Sequence, residues 1–176
     1  MNKTIISLAA WTLLLAGCAS GVVRSGADNG PVRLSADRQV AAVSLTLTPE
    51  ARKKAGENLK FDPAQLLSHI RRALEAKDLV SADTGRPRPN LEIQVKDMRV
   101  RSNFSAVMWG FMAGSDSIAG DIVLSDPAGE PLDRFEVSVS YALGGLAGGQ
   151  DDARMGWLYE TFSKHTVAEV TGTPAK

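Results

Sequence analysis

The chain has 176 residues, in which 20 lysine and arginine residues balance 20 aspartate and glutamate residues. This balance leaves no broad basic field to hold nucleic acid or an anionic membrane surface, so we expect no nucleic-acid partner. The length suits one domain with a single core. Because the sequence contains one cysteine, it excludes a disulfide within the chain.

The N-terminus has the pattern of a secretion signal. Lys3 supplies a positive charge, and the apolar run from Ile5 to Leu15 is too short to cross a bilayer as a helix. We therefore predict a signal peptide over residues 1–17. An alternative is a signal peptide that is cut elsewhere, which leaves Cys18 as a free thiol.

The end of that run, Leu15-Ala16-Gly17-Cys18, resembles the lipobox of bacterial lipoproteins. The resemblance implies cleavage before Cys18, a diacylglycerol group on its sulfur and an acyl chain such as palmitate on the new amino terminus. Each buried methylene contributes about 0.8 kcal/mol, so several acyl chains hold a protein durably. In many Gram-negative lipoproteins, an aspartate directly after the cysteine favours retention in the inner membrane. This chain has Ala19 at that position. We therefore expect lipidation of Cys18 and a periplasm-facing anchor in the outer membrane.

The segment that follows predicts a tether and then a strand. Residues 18–38 contain the modified cysteine and a small, polar, glycine-containing stretch, which is typical of a flexible tether. Val43, Leu45 and Leu47 alternate with polar residues and predict a strand with one wet face. The charged stretch 50–60 indicates a solvated connection rather than a binding patch.

A helix and a long strand come next. Asp62 is placed as an N-cap and Pro63 stands at the first helical position. The predicted buried stripe of this helix is Leu66, Leu67, Ile70, Ala73 and Leu74. The strand 91–100 keeps one face inward only with a bulge near Lys96 and Asp97.

The remaining pattern predicts a hairpin and a second helix. Strands over 118–124 and 135–141 are joined by a tight turn, and a helix runs from about Asp151 to Val170. The order β-α-β-β-β-α predicts an α+β two-layer sandwich, with a mostly antiparallel four-stranded sheet and two helices on one face. We expect a single domain over residues 39–171 and a frayed end over residues 172–176.

Glycine and apolar motifs recur in the second half of the chain. They are the run 110–114, then Asp116, Ile118 and Gly120, the run 144–149, and finally Arg154, Trp157 and Phe162. Together they resemble bacterial lipoproteins of the domain of unknown function 4410 type, over most of the mature chain. The resemblance implies a small α/β domain of the kind found in envelope lipoproteins, and it implies no activity.

The predicted topology brings two loops to one end of the sheet. Loop 102–116 is unusually apolar for a connection, and it is expected beside the glycine loop 144–149. The apolar loop either folds back into the core or forms a contact patch for a protein partner or lipid. We also predict that Trp109 and Trp157 belong to one surface region. The candidate contact residues are Phe104, Met108, Trp109, Gly110, Phe111, Met112, Gly114, Gly145, Leu146, Gly148 and Trp157.

Patterns for catalysis are missing from the sequence. His69 and His165 stand on separate predicted helices, so they form neither a catalytic triad nor a zinc set. The glycine loop lacks the lysine of a phosphate-binding loop. We therefore expect no enzyme activity, no metal and no cofactor. The sequence predicts an envelope lipoprotein that binds a protein partner. The alternatives are an auxiliary lipoprotein of a transport or secretion machine, a small-ligand carrier and a hydrolase.

Overall fold

The structure is a computed structural model, and it describes residues 19–24, 30–58, 60–81, 85–101, 114–142 and 151–175. Within these residues the chain forms five strands and three helices. They are β1 (Ala19–Arg24), β2 (Ala42–Leu47), α1 (Pro49–Glu57), α2 (Pro63–Glu75), β3 (Asn90–Arg99), β4 (Asp116–Ser125), β5 (Pro131–Tyr141) and α3 (Asp151–Thr171). None of these helices is long and apolar enough to cross a membrane.

The strands form one mixed sheet in the order β1-β5-β4-β3-β2. The neighbours β3, β4 and β5 are antiparallel, and β1 is antiparallel to β5. By contrast, β2 runs parallel to β3. The predicted α+β class is confirmed. The sheet differs from the predicted four-stranded antiparallel sheet because it has a fifth strand and one parallel pair, and the described residues form three helices instead of two.

The parallel pair follows from the connection between its strands. After β2 the chain passes through α1 and α2 before β3 begins, and crossovers of this kind return the chain to the end where the first strand started. Ala42 therefore pairs with Asn90, and Leu47 with Val95. A tight hairpin could only have joined antiparallel strands.

Helix α1 lies in the charged stretch 50–60, where we predicted a solvated connection. The hydroxyl oxygen of Thr48 accepts a hydrogen bond from the backbone N–H of Ala51 at 3.2 Å, and Pro49 occupies the first turn. Ala51 is the only buried residue of this helix. The charged side chains are exposed as predicted, but the helix itself lacks the apolar stripe that would have indicated it.

Part of the predicted tether is the edge strand β1. Ala19 pairs with Ser140, and Arg24 with Phe135. Leu34 also lies in the predicted tether, yet its side chain is buried and its N–H donates to the carbonyl oxygen of Val170 at 2.6 Å. The prediction of a flexible tether over 18–38 is therefore wrong for the described residues. Cys18 lies outside them.

Several local predictions are confirmed. The Asp62 carboxylate accepts hydrogen bonds from the N–H groups of Ala64 and Gln65, at 2.8 and 3.2 Å. The register of β3 against β4 shifts between Val95 and Asp97, where the bulge was predicted. In the α2 stripe, Leu66, Ile70 and Leu74 are buried, and Leu67 and Ala73 are half-buried. The helix predicted from about Asp151 to Val170 is α3, and its buried side contains Met155, Leu158, Tyr159, Phe162 and Thr166.

The two ends of the sheet differ in what they carry. At the loop end, β3 and β5 finish, and β1, β4 and α3 begin. At the hairpin end, β2 and β3 begin, the turn from Asp126 to Gly129 joins β4 to β5, and β1 and α3 finish. Inward side chains alternate with outward ones along β3 and β5, so the helices cover one face of the sheet.

Candidate functional site

A buried cluster of three charged side chains lies at the loop end: Arg101, Asp116 and Arg154. Each residue is at most 4% exposed. The backbone N–H of Arg101 donates to Oδ1 of Asp116 at 2.7 Å, and its Nη2 donates to Oδ2 at 3.0 Å. Nη1 of Arg154 lies 3.5 Å from the same Oδ2. One buried carboxylate therefore faces two guanidinium groups.

Backbone carbonyl groups accept hydrogen bonds from both guanidinium groups. Nη1 of Arg101 donates to the carbonyl oxygen of Gly114 at 2.7 Å, and Nη2 reaches that of Tyr141 at 3.3 Å. Nη2 of Arg154 donates to the carbonyl oxygen of Arg101 at 3.4 Å. Buried charges are costly unless they are paired and hydrogen-bonded. These contacts give both guanidinium groups carbonyl partners beside the shared carboxylate, and they join four segments of the chain.

The joined segments are the flanks of the two predicted contact loops. Arg101 and Gly114 stand on either side of 102–113, and Tyr141 and Arg154 stand near either side of 143–150. The flanks of both loops therefore lie at one end of the sheet, as the predicted topology requires. The structure describes these flanks and not the loops between them.

Most of the predicted site residues lie outside the described part of the chain. They are Cys18, Phe104, Met108, Trp109, Gly110, Phe111, Met112, Gly145, Leu146 and Gly148. Their roles as lipidation site and contact residues stay predictions. The structure describes the other two candidates, Gly114 and Trp157, and both belong to the loop end.

Gly114 favours glycine because its φ is 85°, a backbone conformation that side chains disfavour. A Cβ at this position would meet only the end of the flexible Arg99 side chain. Trp157 is half-buried, packs against the core, and its ring centroid lies 5.1 Å from that of Tyr141. Trp157 is thus both a packing residue and a neighbour of the loop flank. Its predicted proximity to Trp109 stays a prediction.

The buried cluster was not predicted, although the sequence pattern contained a signal for two of its members. Asp116 is in phase with Ile118 and Ile122 on the inward side of β4. Arg154 precedes Leu158 by four residues, so it lies on the buried stripe of α3. A charged residue in phase with an apolar stripe indicates a buried, paired charge.

A second polar contact joins the two larger helices. The Tyr159 hydroxyl oxygen on α3 accepts a hydrogen bond from the N–H of Asp62, the N-cap of α2, at 2.7 Å. The rings of Phe61 and His69 lie 6.1 and 5.8 Å from the Tyr159 ring, measured between centroids. Burial raises the pKa of Tyr159 to about 12, so the phenol is neutral at physiological pH. Its role is to hold the helices together.

The open face of the sheet carries a half-buried ion network. Nζ of Lys96 lies 2.8 Å from Oδ1 of Asp121 and 2.7 Å from Oε2 of Glu136. Hydrogen bonds to these two carboxylates raise the pKa of Lys96 above its ordinary value. In the described ranges, no three histidine, cysteine, aspartate or glutamate side chains come close enough to hold a metal ion.

Comparisons with known proteins give a family and distant structural likenesses. No curated protein sequence matches this chain. A PelC dodecamer from Paraburkholderia phytofirmans has 16% identity and a TM-score of 0.47, over 89% of this chain and 100% of that chain. A minor lipoprotein from Acinetobacter baumannii has 10% identity and a TM-score of 0.38, over 74% of this chain and 92% of that chain. Likeness at this level transfers no function.

The profile of a family described as "Domain of unknown function (DUF4410)" matches residues 25–145. This range contains β2 to β5 with α1 and α2, and it includes Arg101 and Asp116 of the buried cluster. It covers more than half of the sequence and confirms the resemblance that the glycine motifs indicated. The chain therefore belongs to the DUF4410 family.

Proposed function

We propose that this protein is a lipid-anchored lipoprotein of the outer membrane, facing the periplasm, which binds a protein partner in the cell envelope through its loop end. The observation that carries the proposal is the position of β1. Its first residue, Ala19, directly follows Cys18 and pairs with Ser140 at the loop end. A lipid on Cys18 is then attached at the end where the flanks of both loops lie.

The position of β1 also limits how far the domain stands from its anchor. Consecutive Cα atoms lie about 3.8 Å apart, so Cys18 has no free chain between it and the sheet. The loop end is therefore held beside the membrane to which the lipid belongs. A partner that contacts this end lies in that membrane or on its surface.

The buried cluster supports binding more than catalysis. Its charged groups are inaccessible and contact one another, and their hydrogen bonds fix the chain where each loop begins and ends. Fixed flanks reduce the entropy that the loops lose on binding. The sequence of the first loop contributes large apolar side chains, among them Trp109 and Phe111, which are frequent anchors of protein interfaces. We expect no catalytic activity.

Site-specific photo-crosslinking in intact cells tests the binding surface. A photoreactive residue is placed at Ser115, beside the apolar loop, and in a matched control at Gln94, which is exposed in the middle of β3. We expect a discrete crosslinked protein from position 115 and none from position 94. The Cys18→Ser variant should leave the membrane fraction and lose the crosslink.

Two loop variants separate binding from anchoring. Trp109→Ala and Phe111→Ala keep Cys18, so we expect both proteins to stay in the membrane while the crosslink from position 115 weakens. Undiminished crosslinking in both folded variants contradicts the proposed surface. Membrane retention of a cleaved Cys18→Ser protein contradicts the lipid anchor.

A further inference from the structure

We propose that a basic cavity at the hairpin end binds an acidic, partly apolar segment of a partner protein. The cavity has a volume of about 410 Å³, and three arginines line it: Arg38, Arg86 and Arg88. Pockets that bind ligands have volumes of about 300–1,000 Å³. This site lies at the opposite end from β1's first residue, and the inference does not depend on a lipid at Cys18.

The cavity has an excess of positive charge. Arg38 and Arg86 line it together with one acidic residue, Asp37. Ion pairs among the described residues use other cations, and none of them includes Arg38 or Arg86. Guanidinium groups pair with carboxylates through two parallel hydrogen bonds. An acidic side chain is therefore the complementary ligand group.

Backbone conformation restricts two of these arginines, and a side-chain hydrogen bond restricts the third. The N–H of Arg38 donates to the carbonyl oxygen of Ser35 at 2.9 Å, which closes a tight turn. Nη1 of Arg88 donates to Oε1 of Gln39 at 3.0 Å. Arg86 precedes Pro87, and a residue before proline is restricted to extended conformations. Binding therefore orders less of the chain than it would in a flexible basic loop.

An apolar side chain stands beside the arginines. Leu132 is 36% exposed, and it is one of two large hydrophobic side chains that are exposed in the described part of the chain. Val32 is half-buried on the same cavity. A peptide with alternating acidic and apolar side chains pairs with both kinds of surface. A carboxylated polysaccharide pairs with the arginines alone.

Fluorescence anisotropy on the purified full-length protein in detergent tests the site. The probe is a labelled eight-residue peptide that combines glutamates with leucines. We expect the double variant Arg38→Gln/Arg86→Gln to weaken binding by about tenfold or more, because charged hydrogen bonds are lost. Leu132→Ser should weaken binding several-fold. These side chains are exposed, so both variants should fold.

A matched control removes the same charge elsewhere. Arg52→Gln/Lys53→Gln deletes two exposed cations from α1, near the loop end, and we expect the affinity to change by less than about twofold. The proposal is overturned if the peptide does not bind, if the two double variants lose equal affinity, or if Leu132→Ser binds normally. Displacement of the peptide by polygalacturonate at equal carboxylate concentration also overturns it, in favour of a polysaccharide ligand.

Discussion

Asp116 is the residue on which the packing of the loop end depends. Its side chain is fully buried and is the carboxylate that Arg101 and Arg154 both contact. Asp116→Asn keeps the shape and removes the charge, so both buried guanidinium groups lose the carboxylate that they share. We expect the free energy of unfolding to fall by about 3–5 kcal/mol, measured by urea denaturation.

An exposed ion pair provides the control. Asp97 pairs with Lys54, and both side chains are more than half exposed. Asp97→Asn should therefore lower the free energy of unfolding by less than about 1 kcal/mol. If both variants lose a similar free energy of unfolding, the buried Asp116 carboxylate stabilises the fold no more than an exposed one does.

Contacts between residues that are close in the sequence could be predicted from the sequence. The Asp62 cap contacts N–H groups two and three residues away, so a short motif contains the whole interaction. The buried cluster joins Arg101 to partners 15 and 53 positions away. The position of a charged residue among the apolar residues of its strand or helix indicates that it points inward. The contacts between such residues depend on how the strands and helices assemble.

Strand β1 is held to the domain by its last residue as well as by the sheet. Nη1 of Arg24 donates to Asp133, whose carboxylate is buried, at 2.8 Å, and its Nε donates to Glu169 at 3.0 Å. Burial by itself lowers the pKa of Arg24. Hydrogen bonds with these two carboxylates raise the pKa by more than that, so the net shift is upward. The strand thereby reaches helix α3.

Removing this guanidinium should loosen the edge strand. In Arg24→Ala the Asp133 carboxylate loses its cation, so we expect the amides of β1 to exchange with solvent about tenfold faster or more, as measured by hydrogen–deuterium exchange. Arg134→Ala is the matched control, because that neighbouring side chain is exposed. Unchanged exchange in Arg24→Ala would mean that backbone pairing alone holds the strand.

At the scale of elements, hydrophobic periodicity predicted the strands and helices that bury a row of apolar side chains along one side. It did not predict α1, which buries Ala51 alone, although Thr48 and Pro49 carried a start signal like that of Asp62 and Pro63. It did not predict β1 either. Its residues are mostly small, and its order comes from pairing with a strand more than 100 residues later.

At the scale of the whole molecule, the two proposed binding surfaces lie at opposite ends. Strand β4 has ten residues and runs from the loop end to the hairpin turn, which corresponds to about 33 Å at about 3.3 Å per residue. Helix α3 spans the same direction, from the buried cluster to Leu34 and Arg24. One end is attached to the membrane in our proposal, and the other faces away from it.

This orientation predicts unequal distances from the bilayer. With the lipid on Cys18, a fluorophore on Glu57→Cys, beside the end of β3, should be quenched strongly by nitroxide-labelled headgroups in reconstituted vesicles. A fluorophore on Ala128→Cys, in the hairpin turn, should be quenched weakly. Inserting twelve glycine and serine residues between Cys18 and Ala19 adds a flexible span of about 20 Å, which frees the domain to rotate and should bring the two values together. Equal quenching without the insertion would show that the loop end does not face the membrane.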